Sequence, residues 1–202
     1  MKATGPIPAG YSAINGELAI GGMTASALVE QAGDTPLFVY SSDHLRARVA
    51  DLREAMPQRL AIHYAMKGNP FPAVLEFMKG LVDGFDVASG GELELALAAG
   101  VDASRISFAG PGKRDRELER AISLGVTLNS ESEGEVERAL AIGAKLGITP
   151  RLAVRVNPSF DLKGSGMKMG GGAKQFGVDA ERVPALVKRI IAADAEWRGF
   201  HI

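Results

Sequence analysis

The chain has 202 residues, 46% of them hydrophobic and 23% charged, with a formal net charge of -1. That apolar content can fill one large domain or two small ones, and the charge balance gives no electrostatic footprint for nucleic acid or an anionic membrane surface. The chain has no cysteine, which excludes a disulfide framework, a thiol nucleophile and a cysteine-based metal site from these residues. The N-terminal MKATGPIPAGYSAINGELAIGG lacks the apolar core of a signal peptide, and no run approaches the roughly 20 apolar residues of a membrane span, so a soluble cytoplasmic protein is expected.

Residues 1–36 hold several glycines and prolines and precede any regular rhythm. From residue 37 the chain alternates. LFVY (37–40) reads as a short buried strand, and SDHLRARVADLREAM (42–56) as an amphipathic helix capped by Ser42 or Asp43. LAIHYAM (60–66) is the next expected strand, followed by a short helix from Pro72 to Lys79 that Gly80 stops. The same alternation gives strand LVDGFDVA (81–88) with helix GELELALAAG (91–100), strand RISFAG (105–110) with helix 114–125, and strand VTLNS (126–130) with helix 132–147. RLAVRVNP (151–158) pairs with helix ERVPALVKRIIAA (181–193), and WRGFHI (197–202) is the last strand. Between Asn157 and Asp179 lies a long loop, NPSFDLKGSGMKMGGGAKQFGVD, read as a lid or substrate loop with a flexible insertion as the alternative.

Strands that alternate with helices and are apolar on both faces build a parallel sheet covered by helices. Both an open doubly wound sheet and a (β/α)₈ TIM barrel fit. No GxGxxG follows the first strand, which counts against a dinucleotide fold. His63, Lys67, Asp86, Ser89, Asn129, Asn157 and His201 lie at or near strand ends on successive units, and a barrel gathers such positions into one mouth. Counted from LAIHYAM, six barrel strands are present where a closed barrel needs eight, so the chain is read as an incomplete barrel and as part of a longer polypeptide.

Four strand-end residues carry candidate chemistry. Lys67 follows the apolar run HYAM directly and precedes Gly68, Asn69 and Pro70. Desolvation in an apolar barrel mouth would favour its free amine, which attacks aldehydes; a surface lysine, or one paired structurally with Asp86, fits the same position. Asp86 in GFDVASGGEL would hold that lysine or a nearby cation, unless it caps the next helix, for which Ser89 is better placed. Arg155 lies inside an apolar strand and must be paired, either with a cofactor ring or Asp86 or in a buried structural salt bridge. His201 offers a flat ring for stacking, and a lone histidine is also often structural. Gly170 to Gly172 form a weak phosphate-cradle signal, the histidine spacing gives no metal site, and no nucleophile elbow is present.

YAMKGNP, FDVASGGEL, RVNP, KQFGVD and GFHI, in that order, resemble the fold-type III (alanine racemase-like) pyridoxal phosphate-dependent enzymes, in the diaminopimelate and ornithine decarboxylase branch. ISFAGPGKRDRELERAISLGVTLNSESEGE and GSGMKMGGGAKQFGVD look closest to the decarboxylases associated with the exosortase A system. The resemblance runs from about Thr35 to Ile202 and implies decarboxylation of a diaminopimelate-like or related basic or amino-dicarboxylic acid. It matches Lys67 to the lysine of the internal aldimine, and Asp86, Arg155 and His201 to cofactor-binding residues, His201 being the one that stacks on the pyridine ring. Lys174 matches a residue of the family's KFG segment that approaches substrate, and Gly68 stands where many relatives have alanine. By the same resemblance the full protein is a homodimer with shared active sites. The phosphate site, the pyridinium partner and a C-terminal β-domain come after the stacking histidine, and residues 1–36 contribute strands to that β-domain. A racemase or cofactor carrier of the same fold, and a non-catalytic partner-binding homologue, are the rival readings.

Overall fold

A computed structural model describes residues 10–160 and 175–202. The chain divides into two compact units, one reaching Leu60 and the other running from Ala61 to Ile202. In the first, β1 (Ser12–Ile14), β2 (Glu17–Ile20) and β3 (Met23–Thr24) form a small antiparallel sheet in chain order. Helix α1 (Ala25–Ala32) starts where the Thr24 hydroxyl accepts from the Ala27 amide and ends at Gly33, whose left-handed backbone closes the last turn. Helix α2 (Ser42–Ala55) is capped by Ser41 and buries only Val49. The expected strand over LFVY does not form. Leu37, Phe38 and Tyr40 are exposed, and no neighbouring strand pairs with them. A strand needs a partner as well as an apolar run.

The second unit is the parallel α/β part. Its strands are β4 (His63–Ala65), β5 (Gly84–Val87), β6 (Ile106–Phe108), β7 (Thr127–Ser130), β8 (Arg151–Asn157), β9 (Val178–Asp179) and β10 (Glu196–His201). They alternate with α3 (Pro72–Met78), α4 (Gly90–Ala98), α5 (Asp115–Leu124), α6 (Glu133–Leu146) and α7 (Val183–Ala192). The sheet order is β10-β8-β7-β6-β5-β4, all parallel, with β9 beside β8. A doubly wound sheet reverses its strand order at a switch point, whereas here each main strand lies next to its predecessor, as in a barrel wall. Both strand faces are buried at the centre, where Phe85, Phe108, Leu128, Leu152 and Val154 make the core with Leu93, Leu118, Ile122 and Ile190 from the helices. Among the described residues, no helix is long and apolar enough to cross a membrane.

Strand ends are shorter than the apolar runs suggest. Only His63–Ala65 of LAIHYAM pairs, and Met66–Gly68 winds into a 3-10 turn. The helix ends follow the polar and glycine signals more closely. Ser89 and Ser132 cap α4 and α6 by accepting from Glu92 and Glu135 amides, and Gly125 and Gly147 end α5 and α6 in the left-handed region. Ser89, not Asp86, is therefore the cap of α4.

Candidate active site

The Lys67 turn is built from the residues around it. Met66 is fully buried and anchors the turn, and the Asn69 amide closes it on the Met66 carbonyl at 3.1 Å. The Tyr64 hydroxyl donates to the Asn69 carbonyl at 2.9 Å, and the Asn69 side-chain oxygen accepts from the Phe71 amide at 3.0 Å. Pro72 starts α3 at once, at a position where a missing N–H costs nothing. Lys67 is thus held at the tip of a pinned turn packed on β5. Its side chain is exposed, and no hydrogen bond or ion pair engages it among the described residues. The expected desolvation of this lysine is not found: β4 ends at Ala65, one residue early, and Lys67 is exposed on the 3-10 turn that follows.

Asp86 stands beside Ala65 in the β4–β5 register and beside Ser107 in the β5–β6 register. The His63 imidazole lies 3.8 Å from its carboxylate, the Ser107 hydroxyl donates to it, and the Asn129 amide donates to Ser107 at 2.6 Å. Burial works to raise Asp86, but the bonds from His63 and Ser107 and the charges of His63 and His201 outweigh it, so the carboxyl is held below its ordinary range. Room for the His63 ring comes from Gly84, where an added Cβ would stand 2.5 Å from the imidazole.

Arg155 sits on β8 and does not pair with Asp86. Its guanidinium donates to both carboxylate oxygens of Glu131 at 3.0 Å each, and the Glu131 side chain is only 1% exposed. The pairing follows from the strand ends: Glu131 comes directly after β7, the neighbour of β8, and a carboxylate there meets the guanidinium from the adjacent strand. The Gly110 amide donates to the same carboxylate at 2.6 Å. On another side of Arg155 lies the Phe176 ring, 4.8 Å from the guanidinium carbon. Gly177 makes that approach possible. Its φ is +77°, and a Cβ would stand 2.9 Å from the Arg155 carbonyl.

A second buried pair adjoins this one. Lys113 donates to Glu135 at 2.7 Å and to the Gly110 and Asn129 carbonyls at 2.8 Å each, with both side chains 1% exposed. Burial pulls Lys113 down and pushes Glu135 up, and the charge of each counters the shift of the other. His201, opposite Arg155 in the β8–β10 register, is half-buried, and its Nδ1 is buried without a hydrogen-bond partner among the described residues. Burial first, then the Arg155 charge, hold the imidazole below its ordinary value; Asp86 and Glu131 oppose that, and Lys113 adds to it.

The structure therefore gathers Asp86, Arg155 and His201 within electrostatic reach of one another and places the Lys67 turn against the strand that carries Asp86. Lys174 lies outside the described residues. Glu131, Lys113, Glu135 and Phe176 escaped the reading of the sequence. Glu131 follows strand VTLNS as Asp86 ends strand GFDV, so the strand-end argument applied to Asp86 would have found it. Lys113, in the loop AGPGKR, carries no local signal of burial. Among the described residues no cluster of histidine, aspartate and glutamate could hold a metal ion.

Residues 42–202 match the family model described as pyridoxal-dependent decarboxylase, pyridoxal binding domain. The chain is 41% identical over 167 residues to a diaminopimelate decarboxylase of Aquifex aeolicus, covering 82% of this chain and 39% of the relative. It is 34% identical over 193 residues to the Pseudomonas aeruginosa diaminopimelate decarboxylase, covering 91% and 45%. An L-glutamyl-[BtrI acyl-carrier protein] decarboxylase of Niallia circulans is 31% identical over 171 residues, covering 84% and 40%. Among solved structures, diaminopimelate decarboxylase of M. jannaschii in complex with L-lysine superimposes with a TM-score of 0.81 at 27% identity, over 96% of this chain and 47% of that one. The Helicobacter pylori enzyme complexed with L-lysine gives 0.79 at 30% identity, over 88% and 46%. The chain thus spans less than half the length of these relatives. It belongs to the pyridoxal-dependent decarboxylase family, and residues 42–202 are its pyridoxal-binding domain.

Proposed function

We propose that this chain is the cofactor-holding part of a pyridoxal phosphate-dependent amino acid decarboxylase, with Lys67 as the covalent anchor of the cofactor. The observation that carries the reading is the unengaged Lys67 amine on a rigidly pinned turn packed on the Asp86 strand, in a chain that belongs to this family. The remaining site residues fit such a group. His201 presents a flat ring with a buried nitrogen that finds no hydrogen-bond partner among the described residues, and it feels the charges of Arg155, Asp86, Glu131 and Lys113. Bound pyridoxal phosphate supplies an electron sink for the bond to the departing carboxylate.

The chain's own residues do the rest. Met66, Tyr64 and Asn69 fix where the lysine amine stands. Asp86, held anionic by its partners, draws positive charge to the foot of that turn. Burial first, and then the Arg155 charge, favour the neutral form of the His201 ring, which offers a flat face for stacking. Relatives that act on diaminopimelate, together with solved complexes holding L-lysine, support a substrate with a second charged group: diaminopimelate or a related basic or amino-dicarboxylic acid. The functional assembly is a homodimer in the cytoplasm, and residues 1–36, whose described part carries β1 to β3, go with a separate β-domain.

Carbon dioxide release by the full-length protein from diaminopimelate, ornithine, lysine, arginine and glutamate, with chiral analysis of each reaction, tests this reading. Release from at least one, requiring pyridoxal phosphate, is expected. Racemisation without carbon dioxide, or cofactor binding with neither reaction, would replace it with the racemase or the carrier.

A further inference from the structure

The buried charges around Arg155 do more than neutralise one another. A buried Arg–Glu pair gives no net stability over apolar residues of the same volume, because the desolvation of both ions offsets their attraction. Stability therefore does not account for Glu131. Geometry does. Glu131 receives three hydrogen bonds, two from Arg155 and one from the Gly110 amide, so its carboxylate is fixed from two sides. A single guanidinium nitrogen, Nη1, donates to both oxygens, so two acceptors fix where that end of the cation stands. Phe176 closes on Arg155 at 4.8 Å, and Arg155 stands beside His201 in the sheet register. The Lys113–Glu135 pair is complete in itself, so the Glu131 charge is left for Arg155.

We propose that Glu131 is the positioning residue of this site: it fixes the Arg155 guanidinium, through both carboxylate oxygens, at the point where that cation faces the His201 ring. The part Arg155 plays beside a bound cofactor rests on the function proposed above, but the placement of Arg155 by Glu131 does not. The charged groups facing His201 are Arg155 from β8, Asp86 from β5, Glu131 after β7 and Lys113 from the loop after β6. Taking away the Glu131 charge alone, with an amide oxygen still able to accept from Arg155 and Gly110, shifts the balance around His201 toward positive charge.

The test is the titration of the histidine ring carbons by NMR in the cofactor-free protein. The chain has three histidines, and His201→Gln assigns the relevant signal. Glu131→Gln keeps an oxygen to accept from the Gly110 amide but loses the charge. Its His201 midpoint should fall below that of the wild type, that of Arg155→Met should rise, and the His44 midpoint should move in neither. A His201 midpoint unchanged in Glu131→Gln, or one that moves together with His44, overturns the proposal. If Glu131→Gln does not fold, Arg155→Lys serves: the charge stays but the Nη1 donor held between the two Glu131 oxygens is lost. The His201 midpoint should then rise toward that of Arg155→Met, and pyridoxal phosphate affinity, followed by absorbance, should weaken about tenfold, as losing a charged hydrogen bond does. An unchanged midpoint and affinity in Arg155→Lys overturns the proposal. A wild-type protein that binds no cofactor would sink the proposed function and leave the titration as a valid test of Glu131.

Discussion

The two ends of the sheet treat charge in opposite ways. On the β4–β5 side, Lys67 is exposed and unengaged among the described residues, and His63 stands 3.8 Å from Asp86, a loose contact. On the β6–β8 side, Lys113, Glu135, Glu131 and Arg155 are buried, or nearly so, and paired at 2.7–3.0 Å. Under the proposed function, the difference separates two tasks. A reacting amine must be reachable and free to form and break a bond, whereas the groups that set the field around it must not move. Ion pairs are buried in the wall, and the Lys67 side chain is left exposed on its pinned turn.

The contrast can be broken from its buried side first. Glu135→Leu leaves the Lys113 ammonium buried without its partner and should cost about 3–5 kcal/mol, read by urea unfolding, while adding Lys113→Met should recover most of the loss. Equal stability of the single variant and the wild type would show that the pair is not the anchor of the wall. Gly84→Ala drives a methyl into the His63 ring and the Arg105 carbonyl and should cost about 1–3 kcal/mol. His63→Ala in the same chain should restore part of that, since the backbone carbonyl remains; no recovery would mean that the His63 ring does not depend on Gly84.

A pH titration of stability sharpens the comparison further. The His201 imidazole is held below its ordinary value of 6.5, first by burial and then by Arg155. The unfolded chain therefore takes up a proton there before the folded one does. The stability that this supplies is complete above pH 6.5 and is lost as the pH falls from there through the folded value. Asp86, held below 3.8, adds a loss of the same sign at lower pH. His201→Gln should flatten the upper part of that profile, and an unaltered profile would remove His201 as its source. The smallest effect is expected at the lysine proposed to hold the cofactor. Lys67→Ala should change stability by less than about 0.5 kcal/mol, as surface substitutions do, when followed by thermal melting. A large loss would place Lys67 in the structural wall.

Much of this was legible in the sequence. The alternation of strand and helix, and the polar residues at strand ends, follow from burial on both faces of a parallel sheet, and the serines and glycines at the ends of α4, α5 and α6 mark those helices locally. LFVY was not legible, because whether an apolar run becomes a strand depends on a neighbour that the run does not encode. Arg155 shows the limit most clearly. A charge in the middle of RLAVRVNP announces that it needs a partner, but Glu131 is 24 positions away and is brought to it only by the pairing of β7 with β8. Lys113 was invisible because its burial depends on the path of a loop between Gly110 and α5.

The central claim is that the free amine on the pinned turn, and not the buried one in the wall, holds the cofactor. Borohydride reduction of the protein incubated with pyridoxal phosphate, followed by peptide mass spectrometry, tests it directly. A pyridoxyl group on Lys67, lost in Lys67→Ala while the fold persists, is the predicted result. An adduct on Lys113 or any other lysine, or one that survives in Lys67→Ala, would contradict it.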